Sequence, residues 1–333
     1  MNSLMEPQIS IIILTYNRHH LLRDCLQSLM EQDVGSQQLE LIVADDGSTD
    51  VTGQVVEEFR RKCARLVYVR HPHKGIPSTR NLGIRHALGS LIAIVADDYI
   101  LAPDYASTII RFFEDNPHAD IVRFKIIASG NDISSRLSHF YYEISFMNRL
   151  VPKPELTGNF EKLKWYFKRL PVPKSEIVIH FGLEAAGAAA FRRSVFDRAG
   201  LFDEELLRGE DTDYTRRLNA LGIPVYYNPF HEVRHQYSWG CFDTLQKSFI
   251  HGANHYRLYR KYASPPSVFQ QVGNACHGLV HQFLQAIWRA RQVQRPWEFV
   301  LYFPGLLAFE VSVKAGMLWG FFKSLTHRNR HEN

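Results

Sequence analysis

The feature that most constrains the fold of this chain is a regular alternation of apolar runs and helical stretches between Ile9 and Ile127. The runs are rich in β-branched residues, which favour strands, and they are apolar throughout, as strands are when helices cover both faces of a sheet. Between the runs, apolar residues recur at helical spacing. The pattern predicts an α/β fold with a mostly parallel sheet flanked by helices. Its strands are predicted at Ile9–Leu14, Leu39–Ala44, Leu66–Val69, Leu91–Val95 and Ile121–Ile127.

The pattern is weaker in the following part of the chain. Residues 128–180 concentrate proline, lysine and aromatic residues without a clear period, which indicates an insertion or a flap. A strand-like run follows at residues 184–191, and a helix is predicted over residues 210–221. Beyond Trp239 the sequence is predicted to be helical.

The composition is that of a globular protein. Of the 333 residues, 45% are hydrophobic and 22% are charged, which suffices for a buried core and argues against disorder. The four cysteines are far apart and form no CxxC pair, so neither a zinc knuckle nor a disulfide framework is indicated, and a reducing compartment is expected. Residues 1–8 lack the features of a signal peptide, which predicts a cytoplasmic location.

The C-terminal region is basic and amphipathic. Between Thr244 and Trp297 there is no acidic residue, whereas there are seven basic ones: Lys247, Arg257, Arg260, Lys261, Arg289, Arg291 and Arg295. Such a patch could meet anionic lipid headgroups, a lipid-linked diphosphate or nucleic acid, or form solvated helix faces, and of these partners nucleic acid is not expected. Residues 299–322 are largely apolar but contain Glu310 and Lys314. This favours a helix in the plane of a membrane surface over packing against a core or partner, and over a transmembrane span.

Polar residues follow three of the predicted strands, at the sheet edge where open parallel sheets bind their ligands. They are Thr15-Tyr16-Asn17-Arg18, Asp45-Asp46-Gly47-Ser48 and Asp97-Asp98. In the second group one carboxylate can cap the following helix, but capping does not require two. A carboxylate here can also accept an N–H of a nucleobase or a ribose hydroxyl, and Tyr16 offers a ring for stacking.

Asp97 and Asp98 come directly after a buried strand, where repulsion between two carboxylates is costly without a cation. Mg²⁺ or Mn²⁺ takes one or two carboxylates and completes its shell with water and phosphate oxygens, which suits a nucleotide diphosphate. The alternative is a turn with solvated acids. The position at a strand end favours the metal.

Two further residues are candidates for chemistry. Asp211 lies in the acidic run that opens the helix at residues 210–221, and such a first turn ordinarily reflects the helix dipole. A carboxylate fixed there can also act as the general base for an incoming hydroxyl. His235 is one of 16 histidines and is uninformative alone, but an imidazole that points toward Asp98 would be an extra ligand for a metal or a diphosphate.

Taken together, these motifs resemble glycosyltransferase family 2, whose members have the GT-A fold, with a Rossmann-like sheet, and mostly invert the anomeric carbon. The resemblance runs from Ile9 to about Trp239 and rests on seven stretches in the same order, each of which is weak alone. They are Ile9–Arg18, Leu41–Asp50, Gly75–Gly83, Ile92–Asp104, Gly187–Arg193, Ala199–Asp213 and Arg234-His235.

The resemblance implies a site for a nucleotide-sugar donor. Thr15, Tyr16 and Asp46 would hold the base and the ribose. Arg80 would lie beside the base or the diphosphate, and Asp97 would belong to the same site. The implied donor is a UDP-, GDP- or dTDP-sugar, and the implied acceptor is a glycan or a lipid-linked molecule.

The resemblance also implies the residues of the chemical step. Asp98 would be the main ligand of Mn²⁺ or Mg²⁺, with His235 near the metal and the diphosphate. Asp211 would be the catalytic base that takes a proton from the acceptor hydroxyl. Gly187 and Ala188 would leave room for the donor sugar.

On this basis residues 1–240 are expected to form a GT-A domain, and residues 241–333 a helical, basic and amphipathic region in contact with a membrane. The domain would consist of a nucleotide-binding half at 1–127, the insertion at 128–180 and an acceptor half at 181–240. The expected function is inverting, metal-dependent sugar transfer in the synthesis of cell-surface polysaccharide or lipid-linked glycans, on the inner face of the cell membrane.

One residue departs from the family pattern, because Ala96 stands where the DXD motif commonly has an acid. A spore-coat polysaccharide synthesis enzyme of the family has a similar form, so Asp98 is expected to keep the metal. Two alternatives remain open. A sugar-nucleotide pyrophosphorylase would carry a glycine-rich loop after the first strand, which residues 15–18 do not form, and a catalytically silent assembly protein at the membrane would retain the fold without activity.

Overall fold

The computed structural model describes residues 6–35, 37–130, 135–136, 178–180, 183, 187–236, 241–262 and 298–328. The described residues belong to two compact units, one within residues 1–130 and 173–237 and the other within residues 131–172 and 238–333. Most of the predicted insertion at 128–180 lies outside the described residues, as does the part of the basic patch after Tyr262.

The first unit is built on one mixed sheet that contains the nine strands of the described residues. Its parallel part has the order β3 (Leu66–Arg70), β2 (Leu39–Asp45), β1 (Ile9–Thr15) and β4 (Leu91–Ala96). The sheet continues with β8 (Ala188–Arg192), β6 (Ile121–Ala128), β9 (Val225–His235) and β5 (Tyr99–Ile100), and β7 (Val178–His180) pairs with β9.

Six helices of this unit are described, and they are amphipathic segments between the strands. They are α1 (His19–Met30), α2 (Thr52–Arg60), α3 (Ile76–His86), α4 (Tyr105–Asp115), α5 (Ser194–Ala199) and α6 (Glu210–Ala220). All five strands predicted from the first part of the chain are present, and each extends one residue further than predicted at its C-terminal end. Ile11, Ile12 and Ile13 are all fully buried. Because successive strand residues point to opposite faces, both faces of β1 are covered, as the apolar runs predicted.

The order in which strands are added to the sheet reverses at β1, while β1 and β4 stay parallel. The chain proceeds from β1 to β2 and β3 on one side and then returns to place β4 on the other side of β1. Such a topological switch opens a crevice at the carboxyl ends of the two strands, where ligands of open α/β sheets bind.

Beyond β4 the sheet is no longer parallel. β8 lies antiparallel between β4 and β6, so β6 does not extend the parallel part. β9 is one strand of eleven residues, with an irregularity opposite Phe124 and Lys125. Its length brings His235 next to Tyr99 in β5.

The second unit contains two described helices, α7 (Cys241–Tyr262) and α8 (Glu298–Arg328), as predicted for this region. They approach each other closely through glycines, since a Cβ on Gly252 would lie 1.9 Å from the carbonyl oxygen of Val313, and one on Gly316 would lie 1.9 Å from that of Phe249. Within the described parts of the chain, none of the helices combines the length and the apolar character that crossing a bilayer requires.

Candidate active site

The carboxyl ends of β1, β2 and β4 meet at the topological switch. The Thr15 hydroxyl donates a hydrogen bond to Asp97 Oδ2 at 2.8 Å. The backbone N–H of Asp46 donates to the carbonyl oxygen of Thr15 at 3.0 Å, and that of Asp97 donates to Leu14 at 3.1 Å. Three polar segments that are far apart in sequence are therefore brought to one edge of the sheet.

A guanidinium group that the sequence did not single out contacts both aspartates of the pair. Arg18 Nη2 lies 2.5 Å from Asp97 Oδ1, and Arg18 Nη1 lies 2.8 Å from Asp98 Oδ2. Both aspartates are buried, whereas the Arg18 side chain is 31% exposed. The chain thus supplies its own counter-ion, and repulsion between the two acids does not by itself require a metal ion.

The two aspartates differ in their ionisation. Burial raises the pKa of Asp97 to about 7, and the charge of Asp98 adds to this effect although Arg18 opposes it. Burial acts on Asp98 in the same direction, but its hydrogen bond with His235 and the charge of Arg18 outweigh burial and hold its pKa below the ordinary value. Asp98 is therefore the stronger acid of the pair and the better partner for a cation.

His235 is positioned by the pairing of β5 with β9. The rings of Tyr99 and His235 lie edge to face with centroids 5.0 Å apart, and the N–H of Gln236 donates to the carbonyl oxygen of Asp98 at 2.8 Å. These contacts place His235 Nε2 3.3 Å from Asp98 Oδ2. The imidazole therefore points toward Asp98.

The chemistry of this corner fits a divalent cation that is shared with a ligand. Asp98 Oδ1 is buried and has no hydrogen-bond partner among the described residues, which is unfavourable unless another group satisfies it. In the described residues no three His, Cys, Asp or Glu side chains are grouped closely enough to hold a metal ion by themselves. Asp98 and His235 would leave most of the coordination shell to phosphate and water, as is usual for Mg²⁺.

The two aspartates at the C-terminal end of β2, Asp45 and Asp46, have different partners. Asp45 is fully buried, and its Oδ1 accepts hydrogen bonds from the N–H (2.8 Å) and the hydroxyl (2.6 Å) of Ser48. Asp46 Oδ1 instead accepts the N–H groups of Lys74 at 2.8 Å and Gly75 at 3.1 Å. Gly75, with φ of +92°, is the N-cap residue of α3. Asp45 therefore stabilises the turn that ends at Ser48, and Asp46 stabilises the loop that leads into α3.

His73 contacts both Tyr16 and Asp46. The Tyr16 ring is 40% exposed and stacks on the His73 ring, with centroids 4.3 Å apart and an angle of 20° between the planes. His73 Nδ1 lies 2.8 Å from Asp46 Oδ2. The backbone of this loop packs against Gly47, where a Cβ would lie only 2.8 Å from the backbone nitrogen of His73.

Arg80 connects α3 to α6. It is 4% exposed, its Nη1 lies 3.0 Å from Asp211 Oδ1 and 3.5 Å from Glu210 Oε1, and its guanidinium lies over the Phe202 ring at 4.4 Å. Burial raises the pKa of Glu210, and the charge of Asp211 adds to this effect while Arg80 opposes it. The Asp211 side chain is 23% exposed, so it is the more accessible acid of the pair. The proximity of Arg80 to the base or the diphosphate stays a prediction.

Gly187 and Ala188 lie at the start of β8, beside the end of β4. Ala188 pairs with Val95 and is fully buried. A Cβ on Gly187 would lie 3.3 Å from the hydroxyl of Tyr99, whose ring contacts His235. A larger residue at position 187 would therefore crowd the group that positions His235.

The fold is the GT-A fold of glycosyltransferases, as a comparison with solved structures shows. The mannosyltransferase PcManGT from Pyrobaculum calidifontis, solved with GDP-Man and Mn²⁺, superposes with a TM-score of 0.61 at 16% identity, over 96% of this chain and 88% of that one. TarS 1-349 of S. aureus in complex with UDP-GlcNAc has a TM-score of 0.51 at 17% identity, over 93% of this chain and 90% of that one.

The sequence comparisons give the family. Residues 10–200 match the family described as Glycosyl transferase family 2, and the chain belongs to this family of glycosyltransferases. A relative, the uncharacterized glycosyltransferase EpsJ of Bacillus subtilis, is 28% identical over 276 residues, which cover 76% of this chain and 72% of EpsJ. The matches to two other relatives are partial and cover less than half of this chain and less than half of each relative's length.

Proposed function

We propose that this glycosyltransferase moves a sugar from a nucleotide-diphosphate sugar to an acceptor hydroxyl, with inversion and with the help of Mn²⁺ or Mg²⁺. The observation that carries the proposal is the convergence of Thr15, Asp46 and the Asp97-Asp98 pair on the ends of three adjacent strands. The ligands of the two related folds, GDP-Man with Mn²⁺ and UDP-GlcNAc, support the same kind of donor here.

The donor nucleotide would lie between the ends of β1 and β2. Tyr16 offers an exposed ring for the base, and Asp46, beside it, offers buried carboxylate oxygens as acceptors for an N–H or a hydroxyl. The hydrogen bond from Thr15 to Asp97 joins the end of β1 to the acidic pair and so fixes their relative positions. UDP-, GDP- and dTDP-sugars all satisfy this arrangement.

The diphosphate would lie over the Asp97-Asp98 pair. Asp98 and His235 would hold the divalent cation, which, when bound, neutralises the diphosphate and makes the nucleoside diphosphate a better leaving group. Arg18 offsets part of the charge of the acidic pair before the donor arrives. Gly187 and Ala188, at the start of β8, would leave room for the donor sugar next to this pair.

Asp211 would be the general base. It would accept the proton of the acceptor hydroxyl as the oxygen attacks the anomeric carbon from the face opposite the diphosphate, in a single displacement without a covalent enzyme intermediate. Arg80, 3.0 Å away and packed on Phe202, holds the carboxylate in a fixed orientation. The buried neighbour Glu210 shares the same guanidinium.

The cellular setting is part of the same proposal. We place residues 1–240 in the catalytic domain and assign residues 241–333 to contact with the inner face of the cell membrane, where surface polysaccharide or lipid-linked glycans are made. The basic residues of α7 and the apolar sequence of α8 support this assignment through charge and hydrophobicity.

A panel of nucleotide sugars tests the proposal. We expect the protein, incubated with Mn²⁺ and each UDP-, GDP- and dTDP-sugar in turn, to release the nucleoside diphosphate from at least one of them, and chelation of the metal to suppress the release. Absence of release from every donor would favour the catalytically silent assembly protein, and nucleotide-sugar cleavage that depends on added pyrophosphate would favour the pyrophosphorylase.

A further inference from the structure

We propose that His73 occupies the nucleobase position in the donor-free enzyme and that the donor must displace its side chain in order to bind. The inference rests on the proposed function, because the base position at Tyr16 and Asp46 is part of that proposal. It adds a residue that competes with the donor and so sets the affinity for it.

The geometry of His73 reproduces both contacts that a base would make. Its ring stacks on Tyr16 at 4.3 Å with planes 20° apart, within the range of aromatic stacking. Its Nδ1 lies 2.8 Å from Asp46 Oδ2, so that a ring nitrogen faces the carboxylate. A flat aromatic ring with a ring nitrogen beside the carboxylate therefore fills the place where uracil, thymine or guanine, each of which has a ring N–H, would bind.

The exposures of the two partners indicate which of them can move. The His73 side chain is 58% exposed, whereas that of Asp46 is 7% exposed. Asp46 is also held by the N–H groups of Lys74 and Gly75, and these bonds do not depend on the histidine ring. His73 can turn into solvent while the acceptor stays in place.

The backbone of the loop is fixed more firmly than the side chain. Gly47, with φ of +85°, lets the two segments approach so closely that a Cβ would lie 2.8 Å from the nitrogen of His73 and 2.9 Å from the carbonyl oxygen of His71. Displacement of the ring is therefore a change of side-chain rotamer, which leaves the loop and α3 where they are.

The test is the affinity of the enzyme for UDP, GDP and dTDP with Mn²⁺, measured by calorimetry on the full chain. His73→Ala is expected to bind the preferred diphosphate about fivefold tighter than the wild type, because no imidazole has to be displaced from its place on Tyr16 and beside Asp46. His73→Gln, which keeps a donor but loses the ring, is expected to lie between the two. His86→Ala, which changes an exposed histidine of α3, serves as the matched control and is expected to bind like the wild type.

The other outcomes are also informative. Equal affinity of His73→Ala and wild type, in variants whose melting temperatures show that they are folded, would overturn the proposal. Weaker binding by His73→Ala would overturn it as well and would show that the imidazole packs onto the bound base. If neither protein bound any of the three diphosphates, the proposed function itself would fail, which is a separate result.

Discussion

Replacement of Asp211 with asparagine is expected to lower turnover by about 10²-fold or more, because the amide cannot accept the proton of the acceptor hydroxyl. Donor binding is expected to change little. The asparagine has the same size and keeps an oxygen that can accept the hydrogen bond which Arg80 donates to Asp211 at 3.0 Å. Steady-state kinetics with the donor identified by the nucleotide-sugar panel, together with the donor dissociation constant, would measure both effects.

The matched control is Glu205→Gln, which removes an exposed carboxylate in the loop before α6. It is expected to leave turnover and donor binding at wild-type values. If Asp211→Asn retained the turnover of the wild type, Asp211 would not be the base. If donor affinity fell together with turnover, the aspartate would hold the donor or the local structure instead of moving a proton.

Substitution of Asp98 with alanine is expected to abolish the stimulation of nucleoside diphosphate binding by Mn²⁺. The variant loses a carboxylate whose pKa lies below the ordinary value and whose buried Oδ1 has no hydrogen-bond partner among the described residues. Asp97 keeps its hydrogen bond from Thr15 and its contact with Arg18. Since the cation would be held between Asp98 and the diphosphate, loss of this ligand should remove most of the stimulation. Calorimetry with UDP, with and without Mn²⁺, would detect it.

Asp115→Ala, at the exposed end of α4, controls for the loss of one negative charge. It is expected to keep the full effect of Mn²⁺. Binding that does not depend on metal in the wild type, or stimulation that survives in Asp98→Ala, would show that Asp98 is not the metal ligand.

The sequence predicted the strands and the place of the site for one physical reason. Buried parallel strands require continuous apolar runs, so their ends are marked by the first polar residues. Parallel strands also carry their C-terminal ends to one edge, so Thr15, Asp46 and Asp97 had to come close together once the strands were known. The hydrogen bonds among these segments are the result.

The same pattern could not give the sheet order beyond β4. The run Ala188–Phe191 is apolar and short, and nothing in its composition distinguishes an antiparallel neighbour of β4 from a further parallel strand. Nothing in the sequence indicated the bulge in the pairing of β6 with β9, the strand that carries His235 to Asp98. These features depend on packing between distant segments.

Side-chain partners were the least predictable part of the site. Arg18 follows β1 in a polar motif, and the ends of β1 and β4 were predicted to lie at the same edge of the sheet. A basic residue after β1 could therefore have been predicted to pair with the acids after β4. The pairing of Arg80 with Asp211 joins residues 131 positions apart and had no signal in the sequence. His73 lies in a loop without periodicity, and its ring meets Tyr16 only because Gly47 allows the two backbones to touch.

The most direct test of a metal-assisted donor site at these strand ends is the melting temperature of the enzyme with UDP, GDP and dTDP, each with and without Mn²⁺. A ligand that binds only the native state stabilises it by about 2.7 kcal/mol at 100 times its dissociation constant. We predict that at least one of the three raises the melting temperature and that the rise requires the cation. No rise with any of them, in either condition, would contradict a nucleotide-diphosphate site in this protein.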